Sequence, residues 1–127
     1  MTPTLKSQER SGEAMDDPAK EVTIDEFKRL EVRVGTVVEV SRVPRTNKLY
    51  KVIVDMGAQG KKQTVTSLVD FYKADELLHK RVIFLGNLKP TTFAGERSEG
   101  MLLAASETTR LALLTIDRDV PDGSRIS

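Results

Sequence analysis

The fold is decided by one continuous stretch, residues 30–40, which reads LEVRVGTVVEV. Apolar side chains alternate there with polar ones, which is the period of a β-strand that has one buried face. The pattern predicts a shared buried face made of Leu30, Val32, Val34, Thr36, Val38 and Val40, with Val37 as the exception. Gly35 lies in mid-strand, where a missing side chain permits a bulge or a sharp bend. A long first strand that can curl is what a small barrel needs for closure.

The residues on either side of this strand predict a small domain built mainly of strands. Thr23 and Glu26 have the spacing of a capping box, so a short helix is expected before the strand. Downstream, the pattern predicts strands at 50–56, 64–68, 81–87 and 101–105, a short helix at 73–79, a long loop or hairpin at 87–100, and a candidate further strand at 112–116. The strand at 81–87 is apolar on both faces, so it is expected to be central. This order predicts an all-β, five-stranded oligonucleotide/oligosaccharide-binding (OB) barrel with short helices and a C-terminal strand extension. From the pattern alone, a generic small β-barrel and an α+β sandwich are the competing folds.

Length and composition set limits on the class of protein. The 127 residues suffice for one compact domain. We expect that domain at residues 22–127, because residues 1–21 are polar, lack a periodic apolar pattern and are predicted to form a flexible tail. No stretch approaches the ~20 apolar residues that cross a bilayer, and the N-terminus lacks the apolar run of a signal peptide. We therefore expect a cytoplasmic protein with no membrane association.

The residues that usually carry catalysis are scarce. The chain has no cysteine and one histidine, which excludes disulfides, thiol nucleophiles, zinc–thiolate sites and any site that needs two histidines. His79 follows the predicted short helix, where it is expected to interact with the last carbonyl groups of that helix. Asp117 and Asp119 fit a solvated turn, and no GxGxxG or GxxxxGK spacing occurs. We expect a binding protein that is not an enzyme and uses no cofactor or metal.

Positive charge is concentrated in one part of the chain. The formal net charge is only +1, but residues 42–62 hold six basic side chains against Asp55 alone. A local excess of this size can form a surface that attracts polyanions. The candidate phosphate-binding residues are Arg42, Arg45, Lys48, Lys61 and Lys62. A solvated strand-and-turn face is the alternative, and charge alone does not decide between the two.

Aromatic side chains, on which single-stranded nucleic acids stack, are few. The chain has four Phe, two Tyr and no Trp. The pattern assigns Phe27, Phe71 and Phe84 to the core and leaves Tyr50, Tyr72 and Phe93 as surface candidates, with packing as the alternative for each. So few stacking groups suit a folded nucleic acid, recognised by shape and phosphates, better than an extended single strand.

Four stretches carry a resemblance to a known family. They are LEVRVG at 30–35, NKLYKV at 47–52 followed by VDMG at 54–57, NLKP at 87–90, and SEGMLLAA at 98–105. Together they resemble the tRNA-binding OB domain found at the C-terminus of many methionyl-tRNA synthetases, in the endothelial-monocyte-activating polypeptide II group and in small stand-alone tRNA-binding proteins. The resemblance covers residues 22–127.

The resemblance implies an OB fold that binds tRNA according to its structure and without catalysis. It also implies a homodimer, as in stand-alone members, and an aminoacyl-tRNA synthetase as a possible partner. By motif position it adds candidate RNA-contact residues to the basic set: Lys48 again, with Asn87, Ser98 and Met101; Lys89 is a further candidate. Their chemistry suits phosphate, sugar and base contacts, but Asn87 could instead pin its loop, Ser98 could cap a turn and Met101 could belong to the core.

Two departures from the family pattern and one alternative function follow from the same resemblance. Ser67 and His79 stand where the family commonly has glycine, and His79 is tolerable only if its backbone adopts a helix-ending conformation. CsaA-like chaperones share the fold family, so the alternative function is a dimer that binds extended polypeptides. The sequence discriminates poorly between these two functions.

Overall fold

The computed structural model describes residues 20–127, so the predicted tail lies outside the described residues apart from Lys20 and Glu21. The helices and strands, in chain order, are α1 (Ile24–Lys28), β1 (Val32–Arg42), β2 (Tyr50–Asp55), β3 (Lys61–Thr66), α2 (Ala74–Leu77), β4 (Arg81–Leu85), β5 (Thr91–Phe93), β6 (Glu96–Ser98), β7 (Met101–Leu102), β8 (Ala104–Ser106) and β9 (Leu111–Leu113). A 3-10 turn at Gly57–Gln59 joins β2 to β3. No helix among residues 20–127 has the length and apolar character needed to span a membrane.

The main sheet curls into a nearly closed barrel. Its five strands follow the order β3-β2-β1-β4-β7, and each neighbouring pair is antiparallel. The two edges approach each other where the Glu99 N–H donates to the Gln63 carbonyl at 2.9 Å. The predicted five-stranded OB-type barrel is therefore confirmed. Two small hairpins, β5–β6 and β8–β9, are added to it.

The apolar residues of β1 divide between two clusters, so the prediction that they share one buried face is wrong. Val32 and Val34 pack with Ile83 and Leu85 of β4. Val37, the predicted exception, packs in the barrel interior with residues of β2 and β4. The division arises because a strand alternates its faces and because the pairing register of β1 with β2 shifts between Val37 and Glu39.

Gly35 does not form the bulge that its position suggested. The register shift lies beyond it, and Gly35 instead allows β2 to approach closely. A Cβ at this position would lie 2.5 Å from Val54 Cγ1 and 2.6 Å from Met56 Sδ. A larger residue would therefore fit only if the Val54 and Met56 side chains moved.

The C-terminal segment covers the outer face of β1 and β4. Leu103, Ile116, Val120 and Ile126 pack against the cluster formed by Val32, Val34, Ile83 and Leu85. Backbone hydrogen bonds fix the end of the chain alongside β1, with the Gly123 N–H donating to the Val34 carbonyl at 2.7 Å and the Ile126 N–H to the Val32 carbonyl at 2.8 Å. Strand β4 is consequently buried on both faces and central, as predicted.

Several predicted boundaries are wrong. The strand expected at 101–105 is interrupted at Leu103, where the chain leaves β4 and begins to pair with β9. Strand β3 runs from Lys61 to Thr66 rather than from 64 to 68, and the second helix is only Ala74–Leu77. The long loop or hairpin predicted at 87–100 is confirmed, since this segment contains the β5–β6 hairpin.

Two local predictions are confirmed at the helix ends. The Thr23 hydroxyl accepts the Glu26 N–H at 3.1 Å, while the Glu26 carboxylate accepts the Thr23 N–H at 2.8 Å, which makes a capping box. His79 has a φ of +70° and therefore adopts the left-handed conformation expected after α2, and its N–H donates to the Val37 carbonyl at 2.8 Å.

Candidate nucleic-acid interface

Three of the predicted basic residues lie near the turn from β1 to β2: Arg42 is the last residue of β1, while Arg45 and Lys48 lie on the connecting loop. The Arg42 guanidinium is 3.3 Å from the Thr46 carbonyl and 3.4 Å from the Asn47 carbonyl, so it helps to hold the loop in place. Arg45 is exposed at the tip, with a φ of +67°. Lys48 ends the loop, and its carbonyl accepts the Val69 N–H at 3.3 Å.

The Lys48 ammonium has an acidic partner on the surface. Its Nζ lies 3.0 Å from Asp70 Oδ2, and both side chains are more than half exposed. An ion pair so exposed contributes little to stability, since water competes with it on both sides. A phosphate group can therefore replace Asp70 at small cost.

The other two basic residues of the set lie at the far end of the same hairpin. Tyr50 pairs with Thr66 at one end of β2, whereas Asp55 pairs with Lys61 at the other. Lys62 lines a small cleft together with Arg33 and Glu31. At about 3.3 Å per residue, the length of β2 puts roughly 17 Å between these lysines and the β1–β2 loop. The predicted residues thus form two basic patches rather than one continuous groove.

Asn87 pins its loop to the start of β1. Its side-chain oxygen accepts the Glu31 N–H at 2.9 Å, and its side-chain nitrogen donates to the Arg29 carbonyl at 2.6 Å. An amide group has two donor hydrogens and two acceptor lone pairs, so one of each is left for another partner. Lys48 follows the end of β1 and Asn87 lies beside its beginning, so the structure does not bring these two residues together.

Lys89, Ser98 and Met101 do come together, in what we call the Met101 groove. This groove, of about 230 Å³, is lined by Val65, Leu88, Lys89, Thr91, Phe93, Ser98, Gly100 and Met101. Met101 pairs with Leu85 in the sheet, yet its side chain is 44% exposed. It is therefore not a core residue.

Ser98 lies under this groove and closes the barrel. It is only 6% exposed, and its hydroxyl accepts the Val65 N–H at 3.1 Å and donates to the Gly100 carbonyl at 3.1 Å. Thr64, also buried, donates to the same carbonyl at 2.8 Å. These bonds connect β3 to the β6–β7 turn where no regular ladder does. The hydroxyl of Ser98 thus stabilises the floor of the groove.

The aromatic residues agree with the sequence-based assignment only in part: Phe84 is in the core as predicted and Tyr50 takes the packing alternative, whereas Phe27 is only partly buried. Phe71 is 41% exposed and not in the core, because it follows β3 on a turn that lies outside the barrel. Tyr50 is buried, with its hydroxyl donating to the Tyr72 carbonyl at 2.8 Å, and the Tyr72 hydroxyl accepts the Leu113 N–H at 3.0 Å. Phe93 is the one surface candidate that stays largely exposed, at 45%.

Sequence reasoning missed the charged residues of the β5–β6 hairpin. Arg97 lies 3.9 Å from Glu99, and Lys51 of β2 lies 3.8 Å from Glu96, so both basic groups border the hairpin. The basic stretch along the chain ends at residue 62, whereas Arg97 comes beside β3 only because this hairpin folds back. The alternation of TTF and ERS around Ala94-Gly95 was the available signal.

Among residues 20–127, no three His, Asp or Glu side chains group in a way that could hold a metal ion. The Arg125 guanidinium, at 2.9 Å, and then that of Arg33 lower the pKa of Glu31 below its ordinary value. This arrangement binds the C-terminal segment to the start of β1 and offers no acid–base pair.

Comparison with known proteins finds a family that matches most of the chain. The model of the family described as "Putative tRNA binding domain" matches residues 32–125. A methionine–tRNA ligase of Methanococcus maripaludis is 47% identical over 117 residues, which are 92% of this chain and 17% of the ligase. The chain thus spans about a sixth of the length of the curated relatives it matches.

Two solved structures have closely similar folds. A MetRS-related protein from Pyrococcus horikoshii has a TM-score of 0.79 and 37% identity, over 85% of this chain and 99% of that one. The chaperone CsaA from Bacillus anthracis has a TM-score of 0.76 and 26% identity, over 84% of this chain and 99% of that one.

Proposed function

Because this chain belongs to the family of putative tRNA-binding domains, we propose that it binds folded tRNA without catalysing a reaction. The observation that carries the proposal is the family match, which runs from the start of β1 to Arg125 and so includes the whole barrel. A tRNA ligand implies a cytoplasmic protein.

The proposed contacts are mainly electrostatic. Arg42, Arg45 and Lys48 would neutralise phosphates at one end of β2, and Lys61 and Lys62 would do so at the other. A nucleic-acid duplex carries about one negative charge per 1.7 Å of its axis, so one helical arm presents phosphates to both patches at once. The free donor and acceptor of Asn87, with Lys89 and Met101, would add contacts to sugar and base. Ser98 would contribute indirectly, by stabilising the groove that contacts the RNA.

Salt dependence tests this electrostatic proposal. If about five phosphates are neutralised, the logarithm of the tRNA affinity should fall with the logarithm of salt concentration at a slope near −4, at ~0.9 or less per contact. A slope indistinguishable from zero would contradict it.

The Lys48→Ala variant tests the first patch. We expect weaker binding at low salt and a slope that is flatter by roughly 0.7–0.9, since one phosphate contact is lost. Arg118→Ala is the matched control, because Arg118 is 84% exposed and lies on the C-terminal segment, outside both patches. Equal effects of the two substitutions would remove Lys48 from the site.

We also propose that the protein is a homodimer, since two copies would double the phosphate contacts, and that it assists an aminoacyl-tRNA synthetase. The second part is supported by relatives that are methionine–tRNA ligases. Sedimentation with and without tRNA tests the assembly: a monomer under both conditions would contradict the dimer.

Polypeptide binding is the second candidate function. It is favoured by the fold similarity to CsaA chaperones and by an exposed groove of about 650 Å³ in which Phe71 lies beside Ala105, Leu111 and Ala112. Binding should be measured side by side with folded tRNA, heat-denatured tRNA, single-stranded DNA and an unfolded polypeptide. A strong preference for folded tRNA supports the first proposal, and a preference for the polypeptide overturns it.

A further inference from the structure

The Met101 groove is lined by several large apolar side chains that are not buried by packing. Leu88, Phe93 and Met101 are 42%, 45% and 44% exposed, and all three line this one groove. Scattered apolar side chains on a surface are ordinary, but a cluster of large ones in a concave site marks a place for a ligand.

The floor of the groove is rigid. Val65 and Gly100 are buried there, and the hydroxyl groups of Ser98 and Thr64 fix them. A Cβ on Gly100 would lie 2.6 Å from Phe84 Cζ, so the chain at this point is pressed against the core. Because the floor is already ordered, binding a ligand there costs little conformational entropy.

Phe93 is held at the rim by a tight hairpin. It pairs with Glu96 across a two-residue turn, in which Ala94 and Gly95 have φ values of +51° and +84°. Positive φ at both central residues is the turn geometry that best matches the twist of paired strands. The Gln63 side-chain nitrogen donates to the Arg97 carbonyl at 2.8 Å, which ties the hairpin to β3. The aromatic ring is therefore presented on a supported element.

The charge at the groove suits an anionic ligand. Lys89 lines it and is exposed, and no carboxylate within residues 20–127 forms an ion pair with it. The groove combines the aromatic ring of Phe93 with the ammonium group of Lys89. A ligand that fits both would have a flat ring and a negative charge beside it. A nucleobase on its sugar-phosphate chain has this form.

We propose that the Met101 groove receives one unstacked base of the RNA, with Phe93 as the stacking partner, Met101 on the other side and Lys89 at the adjacent phosphate. The inference rests on the proposed function and adds a contact to it that the basic patches do not supply. A groove of about 230 Å³ is smaller than the ~300–1,000 Å³ typical of sites for drug-sized ligands, and so suits one ring system rather than several.

Replacing Phe93 tests the contribution of stacking to tRNA affinity separately from that of the phosphate contacts. Base–aromatic stacking is strong enough that Phe93→Ala should weaken tRNA binding roughly 5- to 100-fold, and Phe93→Leu should weaken it nearly as much, because leucine has no π-face. The salt slope should not change, since no phosphate contact is lost. Unchanged affinity for both variants, with their folding verified by circular dichroism, overturns the inference while leaving tRNA binding intact.

A fluorescent substitution tests the contact directly. The chain has no tryptophan, so Phe93→Trp introduces a single reporter. We expect its emission to be quenched as tRNA binds, and Phe71→Trp, at the other exposed phenylalanine but in a different groove, to change little.

The outcomes distinguish failure of the proposed base contact from failure of tRNA binding itself. If tRNA binds and the reporter at 93 is not quenched, the inference is wrong and the proposed function stands. If tRNA does not bind the unmodified protein at any salt concentration, the proposed function itself fails. If only an unfolded polypeptide changes the emission of the reporter, the groove belongs to the alternative function.

Discussion

At the scale of single residues, the serine of the SEGM motif has a role that its sequence position conceals. A serine in a motif rich in glycine and charge reads as an exposed contact, and the resemblance gives it an RNA-binding role. In the structure the Ser98 hydroxyl instead satisfies a buried N–H and a buried carbonyl at the seam of the barrel. The hydroxyl thus fixes the chain at the floor of the Met101 groove.

Ser98→Ala should therefore act first on stability. The substitution leaves the buried Val65 N–H without this partner, which costs about 1–3 kcal/mol of unfolding free energy. Chemical denaturation measures the loss, and Ser106→Ala, at an exposed serine, is the matched control with little expected change. A Ser98→Ala protein of unaltered stability that no longer binds tRNA would show that the hydroxyl contacts RNA directly.

At the scale of elements, β1 depends on one glycine. The Val54 and Met56 side chains occupy the space beside Gly35, so that a Cβ there would lie 2.5 Å and 2.6 Å from their nearest atoms. Val54 and Met56 belong to the packed interior of the barrel, so little free space is left beside Gly35.

Gly35→Ala should destabilise the protein, because the added methyl group has no space to enter. Overpacking of this kind typically costs about 1–3 kcal/mol, measured as a shift of the denaturant midpoint. Adding Val54→Ala should restore part of the loss, since it removes the nearest atom, and a double-mutant cycle gives the coupling between the two sites. A neutral Gly35→Ala, or strictly additive substitutions, would mean that the strands can move apart freely.

At the scale of the whole molecule, the C-terminal segment is fastened to the start of the barrel by charge as well as by apolar packing. Arg125 bridges Glu31 at 2.9 Å and the Lys28 carbonyl at 2.8 Å. Arg81 reaches Asp119 at 2.8 Å and Asp122 at 3.2 Å. These contacts join residues that are far apart in the chain.

Stability should depend on pH through Glu31. Because Arg125 and Arg33 lower the pKa of Glu31 in the folded protein, its contribution is present above the unfolded-chain value of about 4.3 and is lost as pH falls through the folded value. Glu31→Gln should thus lower the unfolding temperature at pH 7 by more than it does near pH 3. Glu107→Gln, which removes only a local ion pair with Arg110, is the control. A difference that stayed constant between pH 7 and pH 3 would contradict the role of the Glu31 carboxylate.

How far the sequence predicts this molecule depends on the range of the interactions involved. Alternation and capping are local, so β1, β2, β4 and α1 could be predicted, and motif resemblance indicated the family. The split of β1 between two clusters could not, because it depends on a register shift with β2 and on residues near 120 that return to cover Val34. The basic residues looked continuous along the chain, yet β2 separates Lys48 from Lys61. Phe93 could be named as a surface candidate, but only the fold reveals that Leu88 and Met101 lie beside it.

The return of the chain to its own beginning has a practical consequence. Arg125 binds the backbone at Lys28 and Leu30, and Ser127 shares a cleft with Ile24 and Phe27, so the two ends of the folded region are neighbours. Adjacent ends allow circular permutation. A short linker joining them, with a new opening cut between Ala94 and Gly95, should give a rearranged chain that still folds.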